Sequence, residues 1–587
     1  MHTLAVRFIS LRRPVQKKGV VMTTGNETWL HRLRDGFVCP RVDGFPIHDA
    51  VATVQEAVET HIMGSQPVQA FFEDLPKGTG TNCPDSPMRE LLKYVAQQRG
   101  LIDKSDPRVR LRFTTELVMP AMAFEREVVV RILLDHPDLT DGERDLVGLS
   151  RDLAPLHDQL WAAWFERVCV PFQERPETER DVLREALTGQ LPVFDYTAFD
   201  LDGDRVVNRQ ALAVAFPGII AGIHNAICAR IFDSPELVKY LRTLDAAYTC
   251  TEIAKLEECW RKVDIAWVQL PRTIRFLPVH GFESGYGHPC CVNLEFMLSV
   301  RTPIFEEEIT SYREGALRWA ERLLVGEQAV LDAYRTKLDR QDVAVFVDAI
   351  RSGARADQRF AGQSLPNRGD VAVAYGGRSF LDPSAGRMFC TMYQDALRAV
   401  CTKRTADILV PIFDASSFLH HAAVHELSHP LARTVECDAA LGTAKGLLEE
   451  SKASSAGIAS SLSQHNTSAW ALYLVAHCVA RVARFFKKVV LTDESRTPYV
   501  RENSSVTTAL LRSGLIRMTP EGIDLNDAMF EDGTWIRWPE ELEILVAGIV
   551  DAYINNDAAA LEDLAAEYCS RGDETPLGQI VVLTNRS

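Results

Sequence analysis

Two histidines one helical turn apart, with a glutamate between them, constrain this chain more than any other feature: His425-Glu426-Leu427-Ser428-His429. Residues at i and i+4 share one face of a helix, so both imidazoles reach a single ion. Two rings cannot complete a site, so the fold must bring a further ligand to that face. About twenty residues on, Glu449 and Glu450 stand side by side, and a helix-turn-helix return would lay them against both rings. Two neutral imidazoles and one carboxylate leave a zinc ion one open position, as catalytic sites do.

The surroundings favour this reading over a solvated helix end with incidental acids. Phe418, Leu419, Ala422, Ala423 and Val424 make the preceding helix apolar, and Glu449 and Glu450 begin an Ala-, Leu- and Gly-rich stretch that also reads as a buried helix. Imidazoles and carboxylates in such places need partners, or they cost several kcal/mol. Pro430 disfavours helical geometry at the residue before it, so the motif helix is expected to kink or end at His429. In this pattern Zn2+ acidifies water to a pKa of about 7 and polarises a carbonyl, and Glu426 serves as general base.

Net charge is −16 and the pI about 5.5, against non-specific nucleic-acid binding, which needs a basic surface. Thirteen Cys without a repeated spacing argue for a reducing compartment rather than a disulfide framework. No apolar run is as long as a membrane helix. The expectation is a cytoplasmic protein. Residues 1–22, with Arg7, Arg12, Arg13, Lys17 and Lys18 and no acid before Glu27, read as an upstream extension or as a mitochondrial transit segment.

Residues 23–138 carry no readable chemistry. From Leu139 the pattern turns helical: Thr140 to Glu143 is a helix start, Glu143–Glu166 has helical spacing, and 233–263 reads as helices. Thr273 to His280 and Asp370 to Tyr375 read as strands, Glu306–Asp348 as helix, Ala415–Phe486 as almost continuous helix, and Trp538–Tyr568 as helix. The expected organisation is therefore α+β: 23–138 as an extra region, 139–400 as a mixed α/β part and 401–587 as a helical, zinc-binding catalytic part.

Other clusters are weaker. Asp200, Asp202, Asp204 and Asn208 resemble a calcium loop, but Arg205 replaces the required Gly and Ala211 the required Glu. His280, His288, Cys290 and Cys291 suggest a second metal site, though the glycines between them favour a loop after a strand. His420 and His421 read as packing or supporting groups, and His477 as a core histidine.

With these residues in hand, the chain resembles the dipeptidyl-peptidase III family, particularly its shorter bacterial-type relatives. Phe418 to His429 matches the family's metal helix, and Glu449-Glu450-Ser451-Lys452-Ala453-Ser454 its E-E-x-K/R-A-D/E motif. Leu237–Thr249, Asp264-Ile-Ala-Trp267, Leu270–Val279 and Leu510 to Gly514 are similar too, so the likeness spans roughly 139–572. It implies two lobes, one helical and metal-binding and one holding a small β-barrel, with a cleft between them. It also implies a metallopeptidase acting on short peptides, with His425, His429 and Glu450 as zinc ligands, Glu449 as their neighbour and Glu426 as general base. The chain departs from the family at Ser454, where an acid is usual. Tyr499 stands where a histidine stabilises the transition state, a role its hydroxyl could keep. Tyr375-Gly-Gly-Arg378 stands where an Asn-x-Pro-Asn segment holds the peptide. These departures keep two alternatives open: a zinc hydrolase or lyase acting on a non-peptide small molecule, and a non-catalytic binding homologue.

Overall fold

The computed structural model describes residues 37–64, 107–180, 182–183, 196–281, 294–356, 362–366, 368–442, 444–491, 497–572 and 574–585. Helices dominate. Their starts follow ordinary capping chemistry: Thr140 and Glu143 form a reciprocal capping box at Asp141–Trp164, and Asp414 accepts from the backbone of Ser416 and Ser417 at Ala415–Ser428. Each cap satisfies amide donors that the first helical turn leaves without partners.

Three sheets are present among the described residues. Strands β1 (Thr197–Asp202) and β2 (Arg205–Ala211) form a hairpin. Strands β3 (Phe276–His280), β4 (Phe296–Thr302), β5 (Asp342–Ile350), β6 (Gly362–Leu365) and β7 (Arg378–Leu381) form a five-stranded sheet in the order β3-β4-β5-β7-β6. Only the β5–β7 pair is parallel. Strands β8 (Ile516–Thr519) and β9 (Gly522–Leu525) form a second hairpin. The expected barrel is not found. β3 and β6 are the two ends of an open sheet, because they do not pair with each other to close it.

Apolar side chains fall into two cores, and the sheet stands between them. Ala344 and Phe346 of β5 belong to a core shared with β3, β4 and the helices up to Val268. Val343 and Val345 belong to a second core built from Glu306–Leu323, Gln328–Arg340 and the helices after Pro383. Alternate residues of a strand point to opposite faces, so a strand covered on both sides reads as one unbroken apolar run. That explains one correction to the sequence reading. The helix expected over 306–348 ends at Arg340, and Asp342–Ile350 is a fully buried strand. An apolar run of that length fits a buried helix or a buried strand equally well.

A second correction concerns Asp370 to Tyr375, which lies in a helix, Gly369–Tyr375, and not in a strand. Only Val371 is buried there. Asp370 pairs with Arg261, and Gly376, at φ 91°, stops the helix in a conformation that favours glycine. Helical structure also begins before Leu139, at Ile47–Gly64, Pro107–Phe113 and Met119–Asp135.

Candidate metal centre

The motif helix, Ala415–Ser428, packs on the helix Glu449–Gln464. Gly457 sets their separation. A Cβ there would lie 2.7 Å from the Val424 carbonyl and 3.0 Å from the His425 nitrogen, so only glycine permits this approach. The helix stops at Ser428, with His429 as its cap and Pro430 beyond, as the sequence suggested. The last carbonyls of a helix lack intrahelical donors, and other elements supply them here. Gln341 donates to the Glu426 carbonyl at 3.0 Å and Tyr334 to that of Leu427 at 3.1 Å. The ammonium of Lys452, wholly buried, donates to the carbonyls of His429 at 3.0 Å and Leu431 at 2.8 Å. A cation at a helix C-terminus also suits the helix dipole.

This frame brings the predicted groups together. One donor atom each from His425, His429 and Glu450 lie within 4.8 Å of one another. His425 Nε2 is 3.1 Å from Glu450 Oε2, and the two rings stand at 90° with centroids 4.7 Å apart. Both Nδ1 atoms are engaged: His425 with Ser454 Oγ at 2.8 Å, His429 with Glu449 Oε1 at 3.1 Å. Glu449 therefore lies on the far side of the His429 ring, where it also meets Lys452 at 3.1 Å and the Tyr553 hydroxyl at 2.8 Å. Burial works against its charge, but Lys452 and His429 hold its carboxyl well below the usual range.

The charges around His425 do not balance. Glu449 has Lys452, and Glu502 has Arg481. Among the described residues Glu450 meets only His425, and the buried Oε2 of Glu426 has no hydrogen-bond partner. Burial alone would lower the His425 pKa. The hydrogen bond to Glu450 and the charges of Glu450, Glu502 and Glu426 overcome it and lift the pKa to about 9. A proton on His425 thus meets a demand for positive charge that a divalent cation meets more fully. Nitrogen and oxygen donors in this number fit zinc. Glu426 projects beside the sheet: a Cβ added to Gly362, on the edge strand β6, would lie 3.6 Å from Glu426 Oε1.

Sequence reasoning missed two groups. Glu502, in the helix Thr497–Arg512, lies 3.9 Å from His425 Nδ1 and 3.8 Å from His421 Nε2. Arg481, in the helix Ser468–Phe485, binds Glu502 at 2.8 Å and donates to His421 Nε2. An arginine within the apolar run Leu474–Val482 was the available signal, since such a charge requires a partner. Tyr499, one turn before Glu502, has its ring against Phe485, with centroids 6.1 Å apart. His420 binds the Tyr312 hydroxyl at 2.6 Å. His477, fully buried, stacks on His421 with centroids 4.3 Å apart, a core position as expected.

Among the described residues, the other candidate side chains are bonded to protein groups. Asp200 is committed to Arg167, on the helical turn Phe165–Cys169, and to Asn208 across the β1–β2 hairpin. His280 lies between the Tyr240 hydroxyl at 3.0 Å and Asp264 at 3.3 Å, fully buried. His288, Cys290 and Cys291 lie outside the described residues. Among the described residues, no helix is long and apolar enough to cross a membrane.

No protein-family model matches the chain, and no curated protein is significantly similar to it. Solved structures are. A DPP III from Caldithrix abyssi aligns over 82% of this chain and 93% of its own, at 14% identity and a TM-score of 0.49. A dipeptidyl-peptidase III from Corallococcus sp. strain EGB aligns over 78% of this chain and 94% of its own, at 15% identity and a TM-score of 0.53. The chain has the dipeptidyl-peptidase III fold; at these identities the likeness is one of fold.

Proposed function

We propose that the chain is a zinc-dependent hydrolase of the dipeptidyl-peptidase III type, cleaving peptide bonds in short oligopeptides. The carrying observation is the convergence of His425, His429 and Glu450, with the buried Oε2 of Glu426 beside them without a hydrogen-bond partner among the described residues. His425 and His429, each with Nδ1 occupied, would offer Nε2, and Glu450 a carboxylate oxygen. Zinc held there supplies a Lewis acid that polarises a carbonyl and makes water a nucleophile near neutral pH. Glu426 then accepts the proton from water and passes it to the leaving amine, a role that typically contributes about 10²–10⁴-fold.

The sheet favours a peptide substrate. Gly362 brings the edge strand β6 against Glu426, and the free edge of a strand offers backbone donors and acceptors to an extended peptide. By the resemblance, Tyr499 would donate a hydrogen bond to the developing oxyanion in place of the family's histidine.

The test is release of arylamine from dipeptidyl-arylamide substrates, with and without chelator. Expected is chelator-sensitive turnover that falls by about 10²–10⁴-fold in Glu426→Gln while zinc content is retained. Zinc-loaded protein that cleaves no peptide would point instead to a non-peptide substrate. Purified protein that takes up no zinc would leave a binding homologue.

A further inference from the structure

Behind His425, on the side away from Glu450, lies a chain of groups that the reaction does not itself use. We propose that Glu502 is a positioning residue that acts through the Ser454 hydroxyl to fix the proton on His425 Nδ1 and so present Nε2 to the metal. This rests on the zinc reading above.

Proton polarity decides the direction of each bond. Ser454 Oγ has a single hydrogen, and it donates it to Glu502 Oε1, which as a carboxylate can only accept. His421 Nε2 also lies 3.3 Å from the hydroxyl, but it accepts from Arg481 and has no hydrogen to give, so the hydroxyl accepts from His425 Nδ1, 2.8 Å away. His425 is then the Nδ1–H tautomer when neutral, and its lone pair lies on Nε2, facing Glu450. Direct contact cannot do this, because Glu502 stands 3.9 Å from Nδ1. The serine is a relay between a carboxylate on one helix and an imidazole on another. Ser454 is fully buried and Glu502 1% exposed, so water does not compete for either.

Arg481 completes the arrangement. It donates to the second Glu502 oxygen at 2.8 Å, so both oxygens of that carboxylate act as acceptors. It also occupies the lone pair of His421 Nε2. His421, His425 and Glu502 on their own bring three donor atoms together, but the guanidinium already holds the place a cation would take there. Arg481 thereby leaves the triad with Glu450 as the binding set.

Imidazole ligands commonly donate their second N–H to a carboxylate, and losing that partner costs about 10–100-fold in metal affinity. The experiment is zinc affinity by chelator competition for wild type, Ser454→Ala, Glu502→Gln, the double variant, and Ser454→Asp combined with Glu502→Gln. Expected is about a 10–100-fold loss for each single variant and no further loss in the Ala/Gln double. Most of the affinity should return when Ser454→Asp restores a carboxylate to the ring. Single variants that bind as tightly as wild type would overturn the proposal, as would losses that multiply in the double. Should Glu502→Gln fail to fold because Arg481 has lost its anion, Ser454→Ala decides alone, since it leaves that pair intact. Wild-type protein that binds no zinc sinks the parent reading with this one. Wild-type protein that binds zinc beside unaffected variants sinks only this one.

Discussion

The sheet-bearing half and the helical half of this molecule both bury charge, but they settle it differently. Around the sheet each buried arginine closes on neighbouring acids: Arg351 on Glu125 at 2.6 Å, Arg355 on Glu295 at 3.2 Å, Arg368 on Asp264 at 2.7 Å and on Glu257, and Arg378 on Asp342 at 3.0 Å. Around the motif helix Lys452 and Arg481 each close on one acid, and Glu426 and Glu450 remain. Pairs that close on themselves hold elements together. A surplus of carboxylates beside two imidazoles calls for positive charge that these pairs do not supply. Whether the charges close, and not how many there are, separates scaffold from site.

The largest expected effect lies in the closed half. Arg351 is held charged by Glu125, against the pull of burial, and Glu125 is 4% exposed. Arg351→Leu would leave that carboxylate buried without its cation. Breaking such a pair costs about 3–5 kcal/mol, readable as a lowered urea midpoint. A loss below about 1 kcal/mol, the scale of a surface pair, would show that the pair is not closed and would erase the contrast between the halves.

Next comes the open half. Zinc at about a hundredfold over its dissociation constant should stabilise the wild type by about 2.7 kcal/mol. Glu450→Gln should lose that gain at the same zinc concentration, while its metal-free form falls less than Arg351→Leu does. Equal zinc stabilisation in both proteins would remove Glu450 from the binding set. A smaller effect follows from the helix contact. Gly457→Ala puts a methyl where the Val424 carbonyl lies 2.7 Å away, and overpacking typically costs about 1–3 kcal/mol. The added methyl should also weaken zinc binding, since it separates His425 from Glu450. An unfolding loss with unchanged affinity would mean that the helices adjust elsewhere.

The open half was the more legible from sequence. A spacing of four on a helix, a proline after it and two adjacent acids are local facts, and the structure brings His425, His429 and Glu450 to one place. What the sequence concealed depended on long-range packing. Glu502 reaches His425 from a helix that begins seventy-two residues later, and no local pattern marks it. β5 was hidden because both its faces are buried, which erases the alternation that identifies a strand. The barrel expectation failed because closure depends on which strands become edges, and pairing order is not written in any one segment.

Acid offers the finest distinction between the halves. Burial holds His157 at about 4, and burial with the nearby Arg368 holds His280 at about 3, both below the ordinary 6.5. Both rings are neutral in the folded chain, while the unfolded chain takes up protons as pH drops through 6.5. The unfolded state then binds more protons, so stability is full above 6.5 and declines as pH falls towards 4 and 3. Each ring contributes at most about 1.4 kcal/mol per pH unit over that window. His157 touches the Leu153 carbonyl at 3.0 Å and the Tyr248 hydroxyl at 2.9 Å, both inside the first core. His157→Gln should therefore lower stability at pH 7 and flatten the decline between pH 6.5 and 4 by up to one proton. Urea midpoints measured across that range provide the check. An unchanged slope in the variant would mean that the closed half admits a proton and opens locally before it unfolds, and that its self-contained pairs are less rigid than their geometry implies.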